Sequence, residues 1–131
     1  MGLVTPLLLA SVLEDELLAL LRDASGGRVS YPWSISRVIH FGERLVTLQV
    51  CREKEGISAV RGALSIRLLP SDSLPLGFQC LSRVADQNLS RERLILVEPD
   101  QPWKPQVRDL AQAFANLLLG QEAQTPEIAS A

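Results

Sequence analysis

Leu9, Val12, Leu13, Leu17, Leu20, Leu21 and Ala24 recur at helical spacing near the start of the chain. That period predicts an amphipathic helix. Leu7, Leu8 and Leu18 widen its apolar stripe, so cover is expected on more than one side. Two starts compete. Thr5 before Pro6 fits a cap followed by proline in the first helical position. Ser11, with Glu14 three residues on, fits a capping box. The second start would set Glu14, Asp15 and Glu16 in the first turn, where the helix dipole favours acids. Ser25, Gly26 and Gly27 end the helix on either reading.

From residue 33 the period falls to two, the period of a strand. Trp33, Ile35, Ile39 and Phe41 share one side, with Arg37 interrupting it, and Ser34, Ser36, Val38 and His40 take the other. After a turn at Gly42, Val46, Leu48 and Val50 alternate with Thr47, Gln49 and Cys51. A polar turn from Glu53 to Gly56 follows. The longest strand comes next. Val60, Leu64, Ile66 and Leu68 are expected on one side and Ala59, Arg61, Ala63, Ser65 and Arg67 on the other. Gly62 at its centre marks a bulge or bend.

A loop with Pro70 and Pro75 leads to two more strands, over 78–85 and 93–99. The link between them reads as a loop or a short turn of helix. A break over 100–105 precedes a second helix that begins at Pro105. Its stripe is Val107, Leu110, Ala111, Phe114, Leu117 and Leu118, and Gly120 is its expected end. Residues 121–131 carry no period and read as a flexible tail. The expected fold is α+β: an antiparallel meander of about five strands, with an N-terminal and a C-terminal helix. Residues 1–120 form one domain on this reading. The helices cover one sheet face and leave the other wholly or partly open.

Charge changes the picture more than composition does. The net charge is −2, yet residues 1–27 carry −3, residues 28–93 carry +4 and residues 94–131 carry −3. The basic part coincides with the strands, and arginine outnumbers lysine eleven to two. Arginine favours bidentate and interface contacts. Strand parity groups Arg61 and Arg67, with Arg83 and either Arg91 or Arg93 as candidates for the same face. Arg37 belongs to the same basic segment. Such a face either binds an anion or a partner, or pairs with nearby acids in solvent. Stacking aromatics, which single-strand nucleic-acid readers use, are few here.

Catalytic patterns are missing. No phosphate-binding glycine loop, nucleophile elbow or paired metal-ligand spacing occurs. No cofactor or metal is expected. Cys51 and Cys80 read as free thiols in a reducing, cytoplasmic setting. His40, the single histidine, reads as a strand-end residue. A Cys51–His40 or Cys80–His40 pair would need tertiary contacts that spacing cannot supply. No apolar run is long enough to span a membrane, and the acidic start does not fit a signal peptide.

Trp33 and Trp103 lie in proline-bearing joints, as core caps or as exposed docking residues. The sequence therefore points to a non-catalytic protein-interaction module: an adaptor, assembly factor or chaperone-like protein. It would bind a protein partner, or itself as a homodimer, through a sheet face or a leucine-rich helix. The alternative is nucleic-acid or anionic-ligand binding through the arginine-bearing face. Candidate binding residues are Arg37, Arg61, Arg67, Arg83, Trp33 and Trp103.

Overall fold

A computed structural model describes residues 4–24, 33–40, 42, 44–54, 56–70, 76–85, 90–98 and 100–124. Seven elements follow in order: helix α1 (Pro6–Ala24), strands β1 (Trp33–His40), β2 (Leu45–Lys54), β3 (Ile57–Leu68), β4 (Leu76–Val84) and β5 (Ser90–Val97), and helix α2 (Lys104–Gln124). The strands form one antiparallel sheet in sequence order. This is the expected α+β meander with one helix at each end. Short links permit it, because neighbouring antiparallel strands need only hairpin turns. Gly56 makes the β2–β3 turn at φ 78°, a conformation that favours glycine.

α1 begins at the earlier of the two expected starts. The Thr5 hydroxyl accepts the Leu8 amide at 3.1 Å, and the Thr5 carbonyl accepts the Leu9 amide at 3.0 Å. Thr5 is thus the cap and Pro6 the first helical residue. Glu14, Asp15 and Glu16 consequently lie mid-helix, not in the first turn. The Ser25–Gly27 stop lies outside the described residues. α2 runs past Gly120 to Gln124, and residues 125–131 lie outside the described residues.

Both helices lie on one sheet face, packed against each other. α1 crosses β1, β2 and β3, while α2 crosses β4 and β5. The leucine stripe of α1 is consumed here: Leu9, Leu13, Leu17 and Leu21 are each at most 1% exposed. Val107, Leu110, Ala111, Phe114 and Leu118 bury the matching stripe of α2. The sheet answers with Val46, Leu48, Val50, Leu64, Ile66 and Phe78. Ion pairs tie α1 to β1 and to α2. The two Glu14 carboxylate oxygens accept from Nε and one terminal nitrogen of Arg37, at 3.1 and 3.2 Å, and Glu16 accepts from Arg108 of α2 at 3.4 Å.

β3 departs from simple alternation. Val50 pairs with Gly62 and Cys51 with Val60, so Arg61 is the extra residue of a bulge. The bulge reverses the parity of everything before it. Val60, expected beside Leu64 and Ile66 on the helix side, instead faces away with Cys51 and is 48% exposed. Gly62 lies directly under α2. A β-carbon there would sit 2.8 Å from Leu118 Cδ2 and 2.9 Å from the Arg83 carbonyl oxygen. The missing side chain is what lets α2 approach the sheet centre.

Candidate interaction face

The sheet surface opposite the helices has no cover among the described residues. Its side chains form a regular grid, because paired residues in an antiparallel ladder share a face. One row runs Ser36, Gln49, Ala63, Arg83 and Ser90 across the five strands. The next runs Val38, Thr47, Ser65, Leu81 and Glu92. A third runs His40, Leu45, Arg67, Gln79 and Leu94. Above them Cys51 pairs with both Ser34 and Val60.

The middle of this face is uncharged. The Thr47 and Ser65 hydroxyls bond each other at 3.1 Å. Thr47, Gln49, Ala63 and Ser65 are half-buried by their neighbours alone. Around them Val38, Val60, Leu81, Leu94 and Leu96 are exposed. Leu69, Leu94 and Leu96 converge over Gly77, whose absent β-carbon would lie 3.4 to 3.8 Å from their methyl groups. The Glu92 carboxylate accepts from the Gln79 amide at 2.7 Å. The usual device for an open sheet face, alternating charges with long solvated stems, is confined to β4, β5 and the strand ends.

The candidate arginines do not form one patch. Arg37 lies on the helix side and is held by Glu14, whose hydrogen bond and charge raise the guanidinium's pKa. Arg61 sits half-buried at the bulge. Arg67 and Arg83 both face the open side and are exposed. Ser65 and Leu81 lie between them, and strand geometry puts their α-carbons roughly 14 Å apart. Arg91 and Arg93 pair with Ser82 and Cys80, which face the helices, so neither joins the open face.

The two tryptophans sit against the core. Trp33 is 7% exposed, with the Arg52 guanidinium 5.5 Å from its ring centre. Trp103 is half-buried at the start of α2 and packs on the core cluster. No local pattern marks Leu69, Leu94 and Leu96 as neighbours. Only the register, with Gly77 between the strands, brings them together.

The thiols and the histidine are kept apart. Cys51 stands six residues along the β1–β2 ladder from the level of His40, roughly 20 Å by strand rise. Cys80 is buried on the opposite face, and both thiols are free. Among the described residues no group of three His, Cys, Asp or Glu side chains is placed to hold a metal ion. No helix among them is long and apolar enough to cross a membrane.

Burial pushes the Cys80 thiol from its ordinary 9.0 up to about 12, against a smaller lowering by Arg93. Above pH 9 the unfolded chain therefore loses this proton while the folded chain keeps it. Its contribution to stability is complete below pH 9 and is lost as pH rises toward 12, by up to about 1.4 kcal/mol per pH unit. Urea titrations at pH 8 and pH 10 should show this loss in the wild-type chain, and a smaller one in Cys80→Ala. Equal losses in the two would contradict the assignment.

Comparison with protein-family models, with curated proteins and with solved structures found no match.

Proposed function

We propose that this protein is a non-catalytic interaction module that docks a protein partner on its open sheet face. One observation carries the reading: a five-stranded face whose central row joins the Thr47 and Ser65 hydroxyls to exposed Leu81, with Val38, Val60, Leu94 and Leu96 exposed around it. Leu81, Leu94 and Leu96 cluster on adjacent strands of this face, and exposed apolar clusters mark interaction sites. The other expected surface, the leucine-rich helix, is spent on the core. The face measures roughly 20 Å by 20 Å from strand spacing and rise. Docking there would bury on the order of 1,000 Å² in total, the range of reversible encounters and not of obligate dimers. That range argues against an obligate dimer.

Arginine-driven anion binding has less support. Arg67 and Arg83 are far apart on the face and Arg37 is already paired.

The test is comparative capture from native lysate with tagged wild-type chain, Ser65→Arg and Leu81→Glu. Both substitutions put a charge at the centre of the face without touching the helix side. A species retained by the wild type at a fixed stoichiometry and lost with both variants is the expected result. Identical capture by all three, with thermal unfolding unchanged, would remove the face from consideration.

A further inference from the structure

Strand β5 is the edge of the sheet, and one of its outward positions is already capped from outside. The Gln106 side chain accepts the Leu96 amide at 3.1 Å and donates to the Leu96 carbonyl at 2.7 Å. A primary amide thus occupies the place of a neighbouring strand. In an antiparallel ladder alternate residues turn their N–H and C=O groups the same way. Leu94, Glu92 and Ser90 therefore point outward as Leu96 does. The Gly77 carbonyl, opposite Leu96, agrees: it turns toward β3 and accepts from the Leu69 amide at 2.9 Å. Among the described residues nothing caps the edge groups of Leu94 or Glu92.

Beside this uncapped stretch α2 moves away. It starts against β5 at Gln106 and crosses β4 so that Phe114 and Leu118 reach Gly62 of β3. That diagonal leaves two adjoining hollows of about 520 and 810 Å³ between β5 and α2, sharing Arg93, Ala113 and Asn116. On the helix side β5 carries Ile95 and Val97 where α2 covers it, and Arg91 and Arg93 where it does not. Neither guanidinium is in ion-pair contact with a carboxylate among the described residues, although Asp109 lines the first hollow with Arg93 and Glu92 the second with both arginines. On the other side of the same strand Leu94 and Leu96 are 51% and 38% exposed.

We infer that the free half of β5 accepts an extended peptide from a partner as an added strand. Strand periodicity then fixes the peptide's chemistry. Its residues at one parity fall on the helix side and place carboxylates, two residues apart, against Arg91 and Arg93. Residues of the other parity lie beside Leu94 and take aliphatic side chains. Gln106 ends the added strand at Leu96. A second copy does not fit. Two-fold pairing of β5 with itself about Glu92 sets Glu92 against Glu92 and Arg91 against Arg93, like charges on both faces, and pairing about Leu94 needs the Leu96 edge groups that Gln106 already takes. The site is distinct from the open face and stands whether or not that face binds a partner.

The test uses the full chain and two blocked peptides of equal composition and charge. One alternates glutamate and valine over eight residues; the other groups its four glutamates together. The alternating peptide should bind at least tenfold more tightly than the grouped one. It should slow hydrogen exchange at Leu94 and Glu92, and lose at least tenfold in affinity with Arg91→Glu plus Arg93→Glu. Leu94→Pro should fold, since its N–H is not used in the ladder, and should abolish binding. If that variant does not fold, the exchange pattern and the arginine variant decide. Equal affinity for both peptides, or binding that survives the arginine reversal, would overturn the inference. So would protection on the open face with none at Leu94. Ser65→Arg should leave this binding unchanged, which separates failure of the edge from failure of the face.

Discussion

Replacing Gly62 by valine is expected to destabilise the fold by about 3 kcal/mol, near the upper end for overpacked cores. The position has two unyielding neighbours. A β-carbon would lie 2.9 Å from the Arg83 carbonyl oxygen, which belongs to the adjacent strand, and 3.1 Å from Phe114 Cζ. The third contact, Leu118 Cδ2 at 2.8 Å, is the end of a side chain that can turn aside. Leu118→Ala should therefore rescue only part of the loss, and mostly for the smaller change Gly62→Ala. The melting midpoint of Gly62→Val should fall by about 10 °C for a chain of this size. Valine's own strand preference works the other way, so an unchanged or raised midpoint would mean that α2 does not approach β3 as described.

Phe78→Ala should cost about 4 kcal/mol, the range for emptying a buried aromatic site. Phe78 is fully buried in β4, paired with Leu68 on one side and Ile95 on the other. Backbone ladders on both flanks hold the site open, so the structure has little freedom to collapse into it. Phe78→Leu should cost about 1.5 kcal/mol, because it leaves a smaller void. Urea unfolding of both variants measures the difference directly. A loss below about 1 kcal/mol for the alanine variant would not fit a close-packed core at this position.

Much of this architecture was legible in the period of the chain. The helical stripes name Leu9, Leu13, Leu17 and Leu21 of α1 and Val107, Leu110, Ala111, Phe114 and Leu118 of α2, and the alternation of β2 names Val46, Leu48 and Val50, all of which are buried. In β1 only Trp33 is buried, and Ile39, expected inward, is 48% exposed. The misreadings have physical causes. The bulge at Arg61 adds one residue to β3 without altering its composition, so strict alternation puts Val60 on the wrong side. β5 begins at Ser90 and not at residue 93, because its first helix-side positions are Arg91 and Arg93, which read as a polar link. Those two arginines line the hollow between β5 and α2, a tertiary feature that no local pattern carries. The N-terminal acids looked like a first turn only because Ser11 imitates a cap. Their observed role is tertiary, through Arg37 and Arg108.

The open face was anticipated as a surface, but not its content. Parity assigned it Arg61, Arg67 and Arg83 and so suggested a basic patch. Register separates Arg67 from Arg83 and fills the space between with Ser65 and Leu81. It also gathers Leu69, after β3, with Leu94 and Leu96 of β5 over Gly77 of β4. Cross-strand order is set by the meander as a whole, and a one-residue slip would change every neighbour.

The proposed docking face is tested most directly by titrating the purified partner species against four chains: wild type, Ser65→Arg, Leu81→Glu, and Arg67→Ala with Arg83→Ala. The account predicts a loss of at least tenfold for each central charge. It predicts a change of less than threefold for the arginine pair, and little dependence on salt. Unchanged affinity in both central variants would contradict it. So would a large loss confined to the arginine pair with a steep fall in added salt, which would give the face to an anion instead.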